Sequence, residues 1–348
     1  VGAVFFVQQF SLISTPHKLN YLIITEKTDL EAGHRINKKS IGGSGMYSLD
    51  EGELDESRII EAGIMAGNMR DTKGVVEAFE KLKAFTVKLI YLNTTGEHEL
   101  DAKAVIIAMG DIGELVAENR MELASIAAAR ELGEVAKAAA EHRRDALAVK
   151  ATSILGNLAR VLVEKNMDTA TKTVAETLGN FGKVSVGQKS ENQISMAEIF
   201  LMQIAEGGLR EGLEEASLTA INSLGDIGVA SVEEGLEESV IGAELLLEEV
   251  GTLAVRVKRE PEAKAVVHAF GIIGKVFPQR GSKTTVVQAA WSLEIIRVLA
   301  EEGGLKSVAR AAKVALESLK TAGVRDEEQN LEKIQEIKKF HRKLLERK

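Results

Sequence analysis

The sequence predicts an all-α fold: an α-α superhelix, or solenoid, of antiparallel helix hairpins built from 23-residue helical units, preceded by a short irregular or α+β segment. Three observations predict it. Only 3 prolines and 4% aromatic residues occur in 348, beside a surplus of Ala, Leu, Glu, Lys and Val, a composition that suits long helices and not sandwiches or barrels. Gly110, Gly133, Gly156, Gly179, Gly225 and Gly271 lie on one series of step 23, whose other terms are Met202, Glu248, Glu294 and Glu317. The columns around that series are apolar at helical spacing. One place before it stand Met109, Leu132, Leu155, Leu178, Leu201, Leu224, Leu247, Phe270, Leu293 and Leu316. Four places earlier every residue is Ala or Val, from Val105 to Ala312, and two places after the series every residue is large and apolar, from Ile112 to Leu319.

The elements follow in order. Residues 1–50 form an N-terminal segment in which KLNYLIITEKT reads as a strand and KKSIGGSGMYSLDEGEL as a flexible Gly/Ser-rich stretch. Residues 51–99 hold a divergent first hairpin, ESRIIEAGIMAGNMRD and GVVEAFEKLKAF; TVKLIYLN either continues the second helix or forms a short strand. Residues 100–325 are the repeats proper. Each unit fits a helix of about 16 residues and a short connector, so that two units make a hairpin. Connectors are expected at Asn166 and Asp168, at Gly207 and Gly208, at Gly235, Pro261, Gly281 with Ser282, and Gly303 with Gly304. The glycine-bearing string INSLGDIGVA (221–230) is therefore helix interior. A glycine there costs about 1 kcal/mol against alanine, and close approach of neighbouring helix backbones is the expected compensation. Residues 326–348 read as a terminal capping helix with the stripe Leu331, Ile334, Ile337, His341 and Leu344.

The strings KATSILGNLA, VAETLGNFGK, LTAINSLGDIG and VVHAFGIIGK resemble the A-x-x-L-G-x-I-G helix of HEAT-like (armadillo-type) helical repeats. The likeness covers about two thirds of the chain. It implies a scaffold more often than an enzyme. The motif marks every helix here, whereas the family usually shows it once per helix pair.

The residues show no catalytic constellation, and no enzyme is expected. Zero cysteines exclude a disulfide framework and thiol chemistry, and make a reducing, cytoplasmic setting the default. Some HEAT-like hydroxylases hold two irons with several His-Glu pairs, but only His98-Glu99 has that form here, so no metal and no cofactor is expected. QRGSKTT (279–285) lacks the G-K-[ST] order of a phosphate loop, and Ser282 there suits a helix N-cap.

One column invites a binding role. Just after the glycine position stand Asp111, Glu134, Asn157, Asn180, Gln203, Asp226 and Glu249. With alternate helices on opposite faces, Asp111, Asn157, Gln203 and Glu249 make one ladder and Glu134, Asn180 and Asp226 another. The armadillo resemblance implies a carboxamide ladder that holds peptides by their main chain; the plainer alternative is a solvated edge of the apolar stripe. Charge is segregated too: residues 206–249 carry 12 acids and one base, Arg210, whereas 251–348 carry 12 acids and 20 bases. The expected partner is thus a protein or peptide with a cationic patch, or a second copy, and not nucleic acid, which the acidic middle would repel. Two further readings stay open: a soluble regulatory domain of a membrane-anchored protein, given apolar Val1–Ile13, and a HEAT-like enzyme with a small ligand or metal.

Overall fold

Apolar residues recurring every three or four positions bury one face of a helix. The computed structural model describes residues 56–92, 98–276 and 283–321. Among these residues there are twelve helices and no strand: α1 (Glu56–Met69), α2 (Thr72–Leu92), α3 (Glu99–Glu118), α4 (Glu122–Glu141), α5 (Asp145–Glu164), α6 (Asp168–Gly187), α7 (Glu191–Glu211), α8 (Glu214–Glu234), α9 (Glu237–Arg256), α10 (Glu260–Val276), α11 (Lys283–Glu302) and α12 (Lys306–Thr321). The stretch TVKLIYLN continues α2 as helix to Leu92. The strand expected in 1–50 and the capping helix expected at 326–348 lie outside the described residues.

Most of the helices are longer than the expected 16 residues. From α3 to α9 each has 20 or 21. The connectors are correspondingly tight, because each turns on one left-handed residue. Arg120, Arg143, Asn166, Lys189, Gly212, Gly235, Lys258 and Gly304 all have positive φ, on a step of 23 that no glycine count reveals. The amide after the left-handed residue donates to the carbonyl five residues back, as in Met121 to Val116 at 2.9 Å and Arg144 to Ala139 at 2.7 Å; this closes the helix end. Gly207 and Gly208 are accordingly not a connector but lie inside α7, which runs to Glu211 and is capped by Gly212. Pro261 is the second residue of α10, where a missing N–H is harmless.

Such short connectors fold successive helices back on each other. Each helix packs on its sequence neighbours and on the helix two places along. Odd-numbered helices therefore form one layer and even-numbered helices the other, with one apolar core from Ile59 to Leu319. The large apolar column faces across the layers: Leu132, Leu155, Leu178, Leu201, Leu224 and Leu247 are all 0% exposed. Each such burial contributes about 1.5–3 kcal/mol.

The glycine column faces sideways, toward the next helix of the same layer. A Cβ on Gly110 would stand 2.8 Å from Ile154, one on Gly156 2.2 Å from the Phe200 ring, and one on Gly179 2.7 Å from Ser223 Cβ. The partner is 44 residues on in every case. Closeness of backbones is only part of the reason for the glycines. At Gly110 and Gly156 a large side chain of the next repeat fills the gap, while at Gly179 and Gly225 an added Cβ would stand 3.6 Å from the neighbour's Cα. Where the series carries Glu248, the residue 44 on is Ser292, whose hydroxyl donates to Glu248 Oε2 at 2.5 Å.

The N-termini of α6 and α8 are capped from a distance. Met121, Met167, Leu213 and Leu236 occupy N-cap positions with no side-chain cap bond. Instead Glu122 Oε1 accepts the Ala170 amide at 3.0 Å, and Asp168 accepts the Glu215 and Ala216 amides at 3.3 and 2.9 Å. First-turn acids thus tie α4 to α6 and α6 to α8, with the helix dipole adding to the attraction. Asp168→Ala is expected to lower stability by about 1 kcal/mol, read as a lower urea midpoint; an unchanged midpoint would mean that water replaces the carboxylate without loss.

Candidate functional site

At 100° per residue, the position after the glycine column points about 200° away from the core-facing leucine. That rotation places it on the outer surface. Asp111, Glu134, Asn157, Asn180, Gln203, Asp226 and Glu249 are all exposed. They form two rows on opposite faces: Asp111, Asn157, Gln203 and Glu249 on α3, α5, α7 and α9, and Glu134, Asn180 and Asp226 on α4, α6 and α8. Each row is brought together by stacking within its layer, and the two rows do not meet.

The two faces differ in charge compensation. On the even layer the acids of α8 and its C-terminal end find lysines one hairpin earlier: Lys172 with Glu215 at 3.2 Å, Lys183 with Asp226 at 3.4 Å and Lys189 with Glu234 at 3.5 Å. On the odd layer Glu206 has only Arg210 of its own helix, at 3.5 Å, and no ion pair reaches Glu248 or Glu249 among the described residues. Burial holds the Glu206 carboxyl above its ordinary range, repulsion from Glu249 adds to this, and Arg210 opposes it. Glu248 is raised by burial and by Glu249, against the Ser292 hydrogen bond. Asp111 is raised by burial, against Lys150.

Two carboxylates of this layer are inside the protein. Glu198 on α7 is 2% exposed and Glu244 on α9 is 0% exposed. Among the described residues Glu198 Oε1 and both oxygens of Glu244 have no hydrogen-bond partner. Burial raises Glu198 well above the usual carboxylate range, and burial together with Glu248 pushes Glu244 up to about 9. Both residues sit one helical turn before the glycine column and face the next odd-layer helix. Glu198 Oε2 would lie 3.1 Å from a Cβ on Gly242, so that glycine leaves room for the carboxyl. Sequence reasoning missed this pair, although their spacing of two repeat units and the Glu248 term of the series were visible.

The same face carries apolar side chains in register. Ile199 and Leu245 are 39% and 51% exposed, and Trp291, half-buried, occupies the equivalent position on α11. On the even layer the equivalent positions on α4, α6, α8 and α10 are Arg130, Glu176, Asn222 and His268. A shallow cavity of about 310 Å³ between α2 and α4 is lined by Lys83, Val87, Tyr91, Glu134, Lys137 and Glu141. There the Tyr91 ring meets the edge of His142, centroids 4.2 Å apart.

Among the described residues no group of three His, Cys, Asp or Glu side chains could hold a metal ion. His98 stands 3.8 Å from Asp101. One helix among them, α5, is long and apolar enough to cross a membrane, but 67% of its apolar window is buried, as expected of a core helix.

No family model and no curated protein matches the sequence. A solved structure described as a circular tandem repeat protein with novel repeat topology and enhanced subunit contact surfaces is similar, at 16% identity and a TM-score of 0.42, over 77% of this chain and 82% of that one. The chain is a helical repeat protein with a solenoid-like all-α fold.

Proposed function

We propose that this chain is a non-catalytic scaffold of HEAT-like, armadillo-type architecture that docks a partner protein or peptide with a cationic patch, in a reducing, cytoplasmic setting. The observation that carries this reading is the acid of the odd layer, where Glu206, Glu248 and Glu249 crowd together and, among the described residues, only Glu206 has an ion-pair partner, Arg210 of its own helix. Like charges held this close raise one another's proton affinity, and a cation supplied from outside relieves that repulsion. The exposed rows at Asp111, Asn157, Gln203 and Glu249, and at Glu134, Asn180 and Asp226, supply polar contacts at one per hairpin. Immobilised full-length chain is expected to retain a stoichiometric basic partner at low salt and to release it as salt shortens the screening length below about 8 Å. Recovery of no partner at low salt, or of one whose retention is indifferent to salt, overturns the reading.

A further inference from the structure

We infer that the outer face of the odd layer across α7, α9 and α11 is a docking surface for a basic amphipathic helix, whose apolar side covers Ile199, Leu245 and Trp291 while its cations reach Glu206, Glu248 and Glu249. The inference rests on the scaffold reading and adds the face and the form of the partner.

Four observations converge. First, Ile199 and Leu245 are exposed at 39% and 51%, in register with Trp291, so the apolar positions form one line across three helices. Second, among the described residues the bordering acids meet no cation from a neighbouring helix, Glu206 having only Arg210 of its own helix, whereas the acids of α8 on the opposite layer are met by Lys172, Lys183 and the connector residue Lys189. Third, Glu206 on α7 and Glu248 on α9 both feel the charge of Glu249, so the bordering acids repel one another and a cation laid over them relieves that repulsion. Fourth, the dimensions match. Helices of one layer stand about 10 Å apart, and residues seven apart on a helix rise about 10 Å. A helix of about 15 residues lying across the layer therefore offers one apolar side chain to each of the three positions.

A helix fits this floor better than an extended strand does. The polar row that borders the line, Gln203 on α7 and Glu249 on α9, is interrupted at α11 by Ile295. Main-chain amides of an extended peptide would be left without acceptors over Trp291 and Ile295, at a cost that a helix avoids by satisfying them internally. The even layer offers no such line, since Arg130, Glu176, Asn222 and His268 occupy the equivalent positions.

The test is a fluorescence anisotropy titration of the full chain against a labelled synthetic 18-residue peptide with leucine on one helical face and lysine on the other. Controls are the same composition scrambled to destroy the apolar face, and glutamate in place of lysine. The amphipathic lysine peptide is expected to bind at least ten-fold more tightly than either control. Glu206→Lys with Glu249→Lys is expected to weaken it at least ten-fold, and Leu245→Asp, at an exposed position, at least five-fold. Glu141→Lys with Glu176→Lys, at exposed positions of α4 and α6, which changes net charge equally on the other layer, is expected to leave it within two-fold. Equal weakening by both pairs, or equal binding of the scrambled peptide, means diffuse charge attraction; either result overturns the assignment of the face while leaving a cationic partner in place. No binding of the lysine peptide also overturns the inference, and the salt-sensitive capture experiment then decides the scaffold reading separately.

Discussion

Replacing two glycines of the same column by alanine is expected to change stability in opposite directions. Gly179 and Gly271 both lie in even-layer helices and both face the residue 44 positions on. At Gly179 an added Cβ would stand 2.5 Å from Ser223 Oγ, 2.7 Å from its Cβ and 3.6 Å from its Cα. Those last two atoms are fixed to the backbone of α8, so no rotamer change clears the overlap; α6 and α8 must move apart and open contacts along their whole seam. Overpacking of this kind costs about 1–3 kcal/mol, more than the roughly 1 kcal/mol that alanine returns in helix propensity. At Gly271 the nearest atom is Ala315 Cβ at 3.8 Å, an ordinary contact. Gly271→Ala is therefore expected to stabilise by about 0.5–1 kcal/mol. Urea midpoints of the two variants against the parent measure this directly. A double variant, Gly179→Ala with Ser223→Gly, should show coupling of about 1 kcal/mol or more, because the second change removes the atoms that the first one strikes. Equal effects of Gly179→Ala and Gly271→Ala would show that the helices are not seated as closely as these distances require.

Glu244→Gln is expected to stabilise the protein at high pH and to do little at low pH. The Glu244 carboxyl is pushed up to about 9 from an ordinary 4.5, by burial first and by Glu248 second. In the unfolded chain the proton leaves near 4.5; in the native protein it stays to about 9. Between those values the unfolded state binds fewer protons, so stability falls as pH rises, by about 1.4 kcal/mol per pH unit for one group. Below pH 4.5 both states are protonated and the difference vanishes. Glutamine keeps the shape and the hydrogen-bonding capacity of the protonated acid and removes the slope. At pH 8 the variant should be more stable by on the order of 2–4 kcal/mol, and at pH 4.5 within about 0.5 kcal/mol of the parent. Glu198→Gln is expected to act in the same direction, since burial raises that carboxyl too. Identical urea midpoints of parent and Glu244→Gln at pH 8 would establish that Glu244 is already ionised in the fold.

The sideways-facing residues show where reading the sequence stops. The column of Leu132, Leu155, Leu178 and their equivalents reveals helix and core because a helix face repeats locally, within one unit. The outward position of Asp111, Asn157, Gln203 and Glu249 follows from the same rotation about the axis. What each glycine accommodates does not follow, because the partner lies 44 residues away and its identity changes from Ile154 to Phe200 to Ser223 to Ala315 while the column stays constant. The helix length was underestimated for a related reason. Arg120, Arg143, Lys189 and Lys258 carry left-handed backbone without glycine, so the helix end lies in a hydrogen-bonding pattern and not in a breaker residue.

Sequence by itself determined the all-helical class, the 23-residue unit, the two layers and the face that each column presents, since all of these depend on the 3.6-residue period and on connector length. Tertiary structure alone decided which side chain fills each gap, which acid caps the helix two places along, and which carboxylates of the odd layer are buried. Those outcomes are set by how closely neighbouring repeats approach. That approach depends on pairs of residues 43 to 48 positions apart, a distance over which no local pattern in the chain carries information.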